Sequence, residues 1–179
     1  MMRCALTLHP DFACPAVMGI AVEAERSGLG MLTLRYLVSG AIGKLLLPTP
    51  VAPARGDALW EHSCFEAFVR AKGIGYREFN FAPSMQWAAY GFSGYRSGMR
   101  VATEIPAPEI ESRTSPDRYE MRAALSGLPH DVLWQLGLSA VIEETTGRKS
   151  YWALAHPPGK LDFHHFDSFA LQLPAQSDP

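Results

Sequence analysis

Two stretches of the chain gather the residue types that do chemistry. The first is ALWEHSCFEAFVRAKGIGYREFNFAPSMQWAAYGF, which holds Trp60, Glu61, His62, Glu66, Glu78, Asn80 and Gln86. The second is SYWALAHPPGKLDFHHFDSFALQL, residues 150 to 173, which holds Trp152, His156, Asp162, His164 and His165. If both runs flanking KGIG are strands, Cys64, Glu66, Phe68 and Arg70 share one face. Tyr76, Glu78 and Asn80 then share a face on the next strand. A carboxylate half-buried in a sheet destabilises the fold unless something hydrogen-bonds to it. A ligand can be that partner, and so can an internal arginine. Both readings stay open for Glu66.

The histidines are candidate metal ligands. Adjacent strand residues point to opposite faces, so His164 and His165 do not converge on one ion. His156 and one of them could face each other, with His62 as a third ligand and Glu61 or Asp162 as a carboxylate. Zinc needs three or four converging ligands, and the spacing of His156 and His164 is not a zinc signature. The preferred reading of HPPGKLDFHH is a rigid loop whose histidines bond backbone groups, with a place on a groove rim second. Met85 or Met99 with a histidine could ligate haem, but no spacing supports it. Glu61, Glu66, Glu78 and Asp162 offer carboxylate pairs of the glycosidase type, as acid-containing chains often do by chance. There is no G-x-S-x-G elbow, Walker loop or Rossmann fingerprint.

These residues need a scaffold, and alternation supplies it. In WQLGLSAVI, Trp134, Leu136, Leu138, Ala140 and Ile142 fall on one side of a period-two ladder, which places Trp134 in the core. RYEMRAAL sets Tyr119, Met121, Ala123 and Leu125 against a charged face, as in a half-solvated antiparallel strand. MLTLRYLVS puts Leu32, Leu34, Tyr36 and Val38 together. SGLG at 27–30, KGIG at 72–75 and TTGR at 145–148 separate such runs as hairpin turns do. SMQWAAYGF reads as a bent strand. About ten short strands and no helix beyond two turns predict an all-β domain, a two-sheet antiparallel sandwich. Residues 48–58 read as a surface crossover loop.

The 179 residues fit one domain, 1–179, with 174–179 as a frayed tail. At 47% hydrophobic and 19% charged the chain can bury a core. A net charge of -2 leaves no footprint for nucleic acid or an anionic membrane. No apolar run spans a bilayer, and the N-terminus lacks a signal h-region, so the expected location is cytoplasmic. Cys4, Cys14 and Cys64 show no C-x-x-C spacing and read as reduced, mostly buried thiols.

The blocks LWEHSCFEAFV, YREFNFAPSMQWAAY and SYWALAHPPGKLDFHH resemble the bacterial DOMON-like proteins. These are similar to type 9 carbohydrate-binding modules. The resemblance runs over roughly residues 3 to 173. It implies a jelly-roll-like sandwich without intrinsic catalysis. In the sugar-binding modules two tryptophans clasp a saccharide end, and a glutamate six residues after the first bonds its hydroxyls. Trp60 and Glu66 have that spacing, and Trp152 is the expected second wall. Asn80, Gln86 and Lys149 would complete the clasp, with His62 and His156 as further candidates. Aromatic faces stack on the C–H face of a pyranose, and a carboxylate accepts from vicinal hydroxyls. The expectation is therefore a non-enzymatic domain that binds a small polyhydroxylated ligand, with no cofactor and no metal. A haem- or metal-binding redox domain and a protein-interaction module are the alternatives.

Overall fold

The computed structural model describes residues 1–28 and 30–175. Leu29, within the predicted 27–30 turn, and residues 176–179 of the predicted tail lie outside the described residues. Thirteen strands are present among the described residues: β1 (Met2–Leu8), β2 (Val17–Ser27), β3 (Met31–Gly40), β4 (Ala54–Arg55), β5 (Cys64–Ala71), β6 (Gly75–Phe81), β7 (Gln86–Phe92), β8 (Arg100–Val101), β9 (Glu109–Thr114), β10 (Arg118–Leu125), β11 (Trp134–Glu143), β12 (Lys149–Ala153) and β13 (Leu171–Leu173). The count exceeds the expected ten because β4, β8 and β13 have only two or three residues, too few to print an alternating pattern. Helical structure is confined to 3₁₀ turns at Ile42–Lys44, Leu59–Glu61 and Phe166–Ser168. No helix among the described residues is long and apolar enough to cross a membrane.

The strands form a β-sandwich. One sheet runs β1-β2-β3-β10-β9, and the other runs β12-β11-β5-β6-β7. β4 joins β7 in parallel, β8 pairs with β7 and β13 with β11. β1 belongs to both sheets: Met2–Leu6 pair with β2, and Thr7 and Leu8 pair with β12.

The main core lies between the sheets. Leu32, Leu34, Tyr36 and Val38 of β3 and Tyr119, Met121, Ala123 and Leu125 of β10 enter it from one side. Trp134, Leu136, Leu138, Ala140 and Ile142 of β11 and Phe65, Ala67 and Val69 of β5 enter it from the other. The Arg26 guanidinium lies 3.7 Å from the Trp134 ring centre. Cys14 and Cys64 are buried, Cys4 is half-buried, and all three are free.

β5, β6, β7 and β11 are buried on both faces. Their second face needs its own cover, because strands dry on both sides must pack twice. A smaller cluster supplies it: Phe68, Tyr76, Ala88, Tyr90, Phe92 and Phe169, with Leu59, Phe163 and Phe166 against them. Phe169 packs close over Gly137, where an added Cβ would come within 2.6 Å of its ring. The segment between β12 and β13 thus lies over the outer face of the second sheet, and the candidate site opens there.

Candidate functional site

Register decides which side chains meet. Glu66 on β5 pairs with Asn80 on β6 and Ser139 on β11. Glu78 pairs with Phe68 and with Tyr90 on β7. Directly paired residues share a face, so Glu66 and Glu78 are diagonal neighbours with Cα atoms roughly 7–8 Å apart. Both line a cleft of about 440 Å³. Trp60, Met99, Val141, Tyr151, Leu161 and Phe163 supply its apolar lining, and Arg96, Asp162 and His164 join the glutamates as polar groups.

Trp60 is 38% exposed and rides on the 3₁₀ turn Leu59–Glu61. Gly56 N–H bonds the Trp87 carbonyl at 2.8 Å, tying the approach to that turn onto β7. Tyr90 donates to Asp57, and its ring meets Trp60 edge-on at 5.9 Å. Lys149 donates to the Glu61 carbonyl, so it braces the turn and does not line the cleft.

The predicted second wall is displaced by one residue. Trp152 pairs with Ala140, which pairs with Phe65, and all three point into the main core. Its ring is 6% exposed, and its Nε1 donates to Ser150 Oγ at 3.0 Å. Tyr151 pairs with Val141, which pairs with Cys64 on the Glu66 face, so Tyr151 is the aromatic residue that β12 presents to the cleft.

The other predicted residues divide. Asn80 is fully buried beneath the site; its Nδ2 donates to Glu78 Oε1 at 3.0 Å, and its Oδ1 has no partner among the described residues. Gln86 sits near the start of β7 beside Ser84 and does not line the cleft. His62 faces solvent and bonds Glu143 through Nδ1 at 2.7 Å. His156 bonds the Thr7 carbonyl through Nε2 at 2.8 Å, packs against His9 and does not line the cleft. His165 caps the turn at Phe166–Ser168 by accepting from Asp167 N–H. Adjacent on the chain, His164 and His165 do diverge, and His164 enters the site.

No sequence pattern points to Arg96 or Tyr151, and His164 takes the groove place that ranks second to a backbone-bonding role in the sequence reading. Arg96 has φ 48° and sits in a loop whose place depends on tertiary packing, so no local pattern announces it. Its Nη2 donates to Asp162 Oδ1 at 2.8 Å, and its backbone N–H donates to Tyr76 OH at 3.2 Å. Tyr76 OH and His164 Nδ1 share a hydrogen bond at 2.9 Å. The other ring nitrogen, Nε2, lies 3.7 Å from Glu78 Oε2.

Burial sets the electrostatics. Glu66 is 3% exposed; burial first, then repulsion from Glu78, pushes its pKa up to about 8, against the hydrogen bond from Ser139 Oγ at 3.0 Å. Burial raises Glu78 to about 7, opposed by Asn80 and Arg96. Burial and Arg96 lower His164 to about 4, so it is neutral. Burial alone would raise Asp162, but hydrogen bonds from Tyr95 and Arg96 hold it below the usual range. The floor near neutral pH is therefore a pair of carboxyl groups with raised pKa values beside a neutral imidazole and an Arg–Asp ion pair. Such a surface offers hydrogen-bond acceptors and donors under aromatic walls. Among the described residues, no group of three or more His, Cys, Asp or Glu side chains is placed to hold a metal ion. Met85 is buried in the main core, whereas Met99 lines the cleft.

No protein-family model matches the chain, and no curated protein matches it. Among solved structures it is similar to a family 9 carbohydrate-binding module from Caldicellulosiruptor kristjanssonii in complex with cellotriose, at a TM-score of 0.56 and 12% identity over 99% of this chain and 84% of that one. At that identity the likeness speaks to architecture, and the chain has the β-sandwich fold of that module.

Proposed function

We propose that the cleft binds a small polyhydroxylated ligand, a saccharide or cell-wall fragment, and that the domain is a non-catalytic binding module. The observation that carries this is that Trp60 and Glu66 open onto one cleft. Its volume of about 440 Å³ suits a small molecule, and it combines aromatic lining with a few polar groups, as ligand sites do. The Trp60 and Tyr151 rings offer apolar faces to a pyranose; Glu66 and Glu78 accept from hydroxyls, and Arg96 and His164 donate. The architecture shared with a module solved with cellotriose, and the blocks resembling DOMON-like proteins, support the same reading.

Among the described residues, which include all four tryptophans, only Trp60 is exposed; Trp87, Trp134 and Trp152 are buried. Tryptophan fluorescence is thus a local reporter. Titration with glucose and with cellotriose should give a saturable change in the native protein that is absent in Trp60→Ala. Cellotriose recovered after incubation should be intact by NMR. No response to either sugar would defeat the binding proposal, and cleaved cellotriose would defeat its non-catalytic part.

A further inference from the structure

The cleft floor holds more acceptor capacity than hydroxyl recognition alone requires. Its lining side chains include three carboxyl groups, on Glu66, Glu78 and Asp162, and one guanidinium, on Arg96. That guanidinium is already bonded to Asp162 at 2.8 Å. What remains is the glutamate pair, which turns negative only when its protons leave. Around Glu78 stand Cys64, Glu66, Tyr76, Tyr90, Arg96 and His164. Of these, Arg96 alone carries a positive charge, since His164 is held neutral by burial. Directly across the strand pair from Glu66, the fully buried Asn80 has an Oδ1 with no donor among the described residues. Ordinarily a buried amide oxygen is hydrogen-bonded, so donors are short here once the glutamates are ionised.

Resting on the saccharide reading, we infer that the cleft prefers an amine-bearing sugar, an amino sugar whose protonated amine contacts Glu66 and Glu78 while its ring lies on Trp60 and Tyr151. An ammonium group brings three donors and a positive charge. A hydroxyl brings one donor and no charge to stabilise ionised carboxylates. Hydrogen bonds between ionised partners are roughly twice as strong as neutral ones. Aromatic faces such as Trp60 also attract a cation placed over them. The glutamates hold protons when the cleft is empty, because burial raises both. Seating an ammonium favours the carboxylates, so protons leave as the ligand enters.

Calorimetric titration of the full chain at pH 6 tests this, with glucosamine, glucose and N-acetylglucosamine in two buffers of different ionisation enthalpy. Glucosamine should bind about tenfold or more tightly than glucose or the acetylated sugar, the scale of one extra charge-assisted contact. Its heat should differ between buffers by the amount that proton release requires, and Glu78→Gln should abolish both the preference and the release. If Glu78→Gln fails to fold, the comparison of glucosamine with its acetylated form in the native protein decides, since acetylation removes the charge and keeps the ring. Equal affinity for glucosamine and glucose overturns the amine preference and leaves saccharide binding standing. Binding of none of the three overturns both.

Discussion

Replacing Glu66 with glutamine should stabilise the protein at alkaline pH, although it removes a residue of the proposed site. Glu66 is 3% exposed, and its folded pKa is raised from 4.5 to about 8, by burial first and by Glu78 second. The folded state therefore keeps a proton that the unfolded chain releases above pH 4.5. Stability from this group is fully present below pH 4.5 and is lost as pH rises to about 8. Each unit between the two pKa values is worth about 1.36 kcal/mol, so the loss across that window is on the order of 4–5 kcal/mol. Glutamine has the same shape and no charge. Its carbonyl oxygen can still accept from Ser139 Oγ, and position 66 lies across the strand pair from Asn80, whose Oδ1 has no donor among the described residues. Urea unfolding followed by circular dichroism at pH 4.5, 6.5 and 8.5 measures the effect. The variant should match the native protein within about 0.5 kcal/mol at pH 4.5 and exceed it by about 4 kcal/mol at pH 8.5. A variant no more stable than the native protein at pH 8.5 would refute the reasoning and mean that the carboxylate is held by a partner.

The two tryptophans of the expected clasp should separate by stability. Trp152→Ala empties a core position and should cost about 3–5 kcal/mol in urea unfolding, whereas Trp60→Ala should cost under about 1 kcal/mol; equal losses would contradict their placement. His164, lowered to about 4 by burial and Arg96, should give an NMR titration midpoint below pH 5. Because the unfolded imidazole takes its proton near pH 6.5, the His164 contribution to stability should be lost as pH falls from 6.5 through about 4, and a midpoint near 6.5 would place the ring in solvent. Gly75 has φ 64°, and an added Cβ would lie 2.1 Å from the Phe92 carbonyl oxygen. Gly75→Ala should therefore destabilise by about 2 kcal/mol or more, read as a lower urea midpoint, while a neutral result would show that the β5–β6 turn relaxes freely.

The scaffold was legible wherever one face of a strand is wet. β3 and β10 print their alternation directly, and the residues read as inward are the buried ones. β5 and β6 are dry on both sides, yet their grouping by face also follows from period two and the KGIG turn. Trp60 and Glu66 line one cleft, and no periodicity sets them together; only a resemblance groups them in the sequence. What stayed hidden depends on contacts between distant segments. Tyr151 and Trp152 are adjacent aromatics, and only the pairing of β12 with β11 reveals which one faces the glutamates. Arg96, Asp162 and His164 come from irregular segments held by long-range hydrogen bonds, which no periodicity encodes.

The strand shared by both sheets has a consequence for assembly. Thr7 and Leu8 can pair only after Ala153 and Trp152 are in place, so the seam joining the two layers links points nearly the full chain apart. Closing such a seam requires a large loss of chain freedom before any contact rewards it, which slows maturation. Until then the edge of β12, including the stretch that carries Tyr151, lies open to pairing with another molecule. Crowded synthesis would therefore expose this domain to misassociation at that edge first.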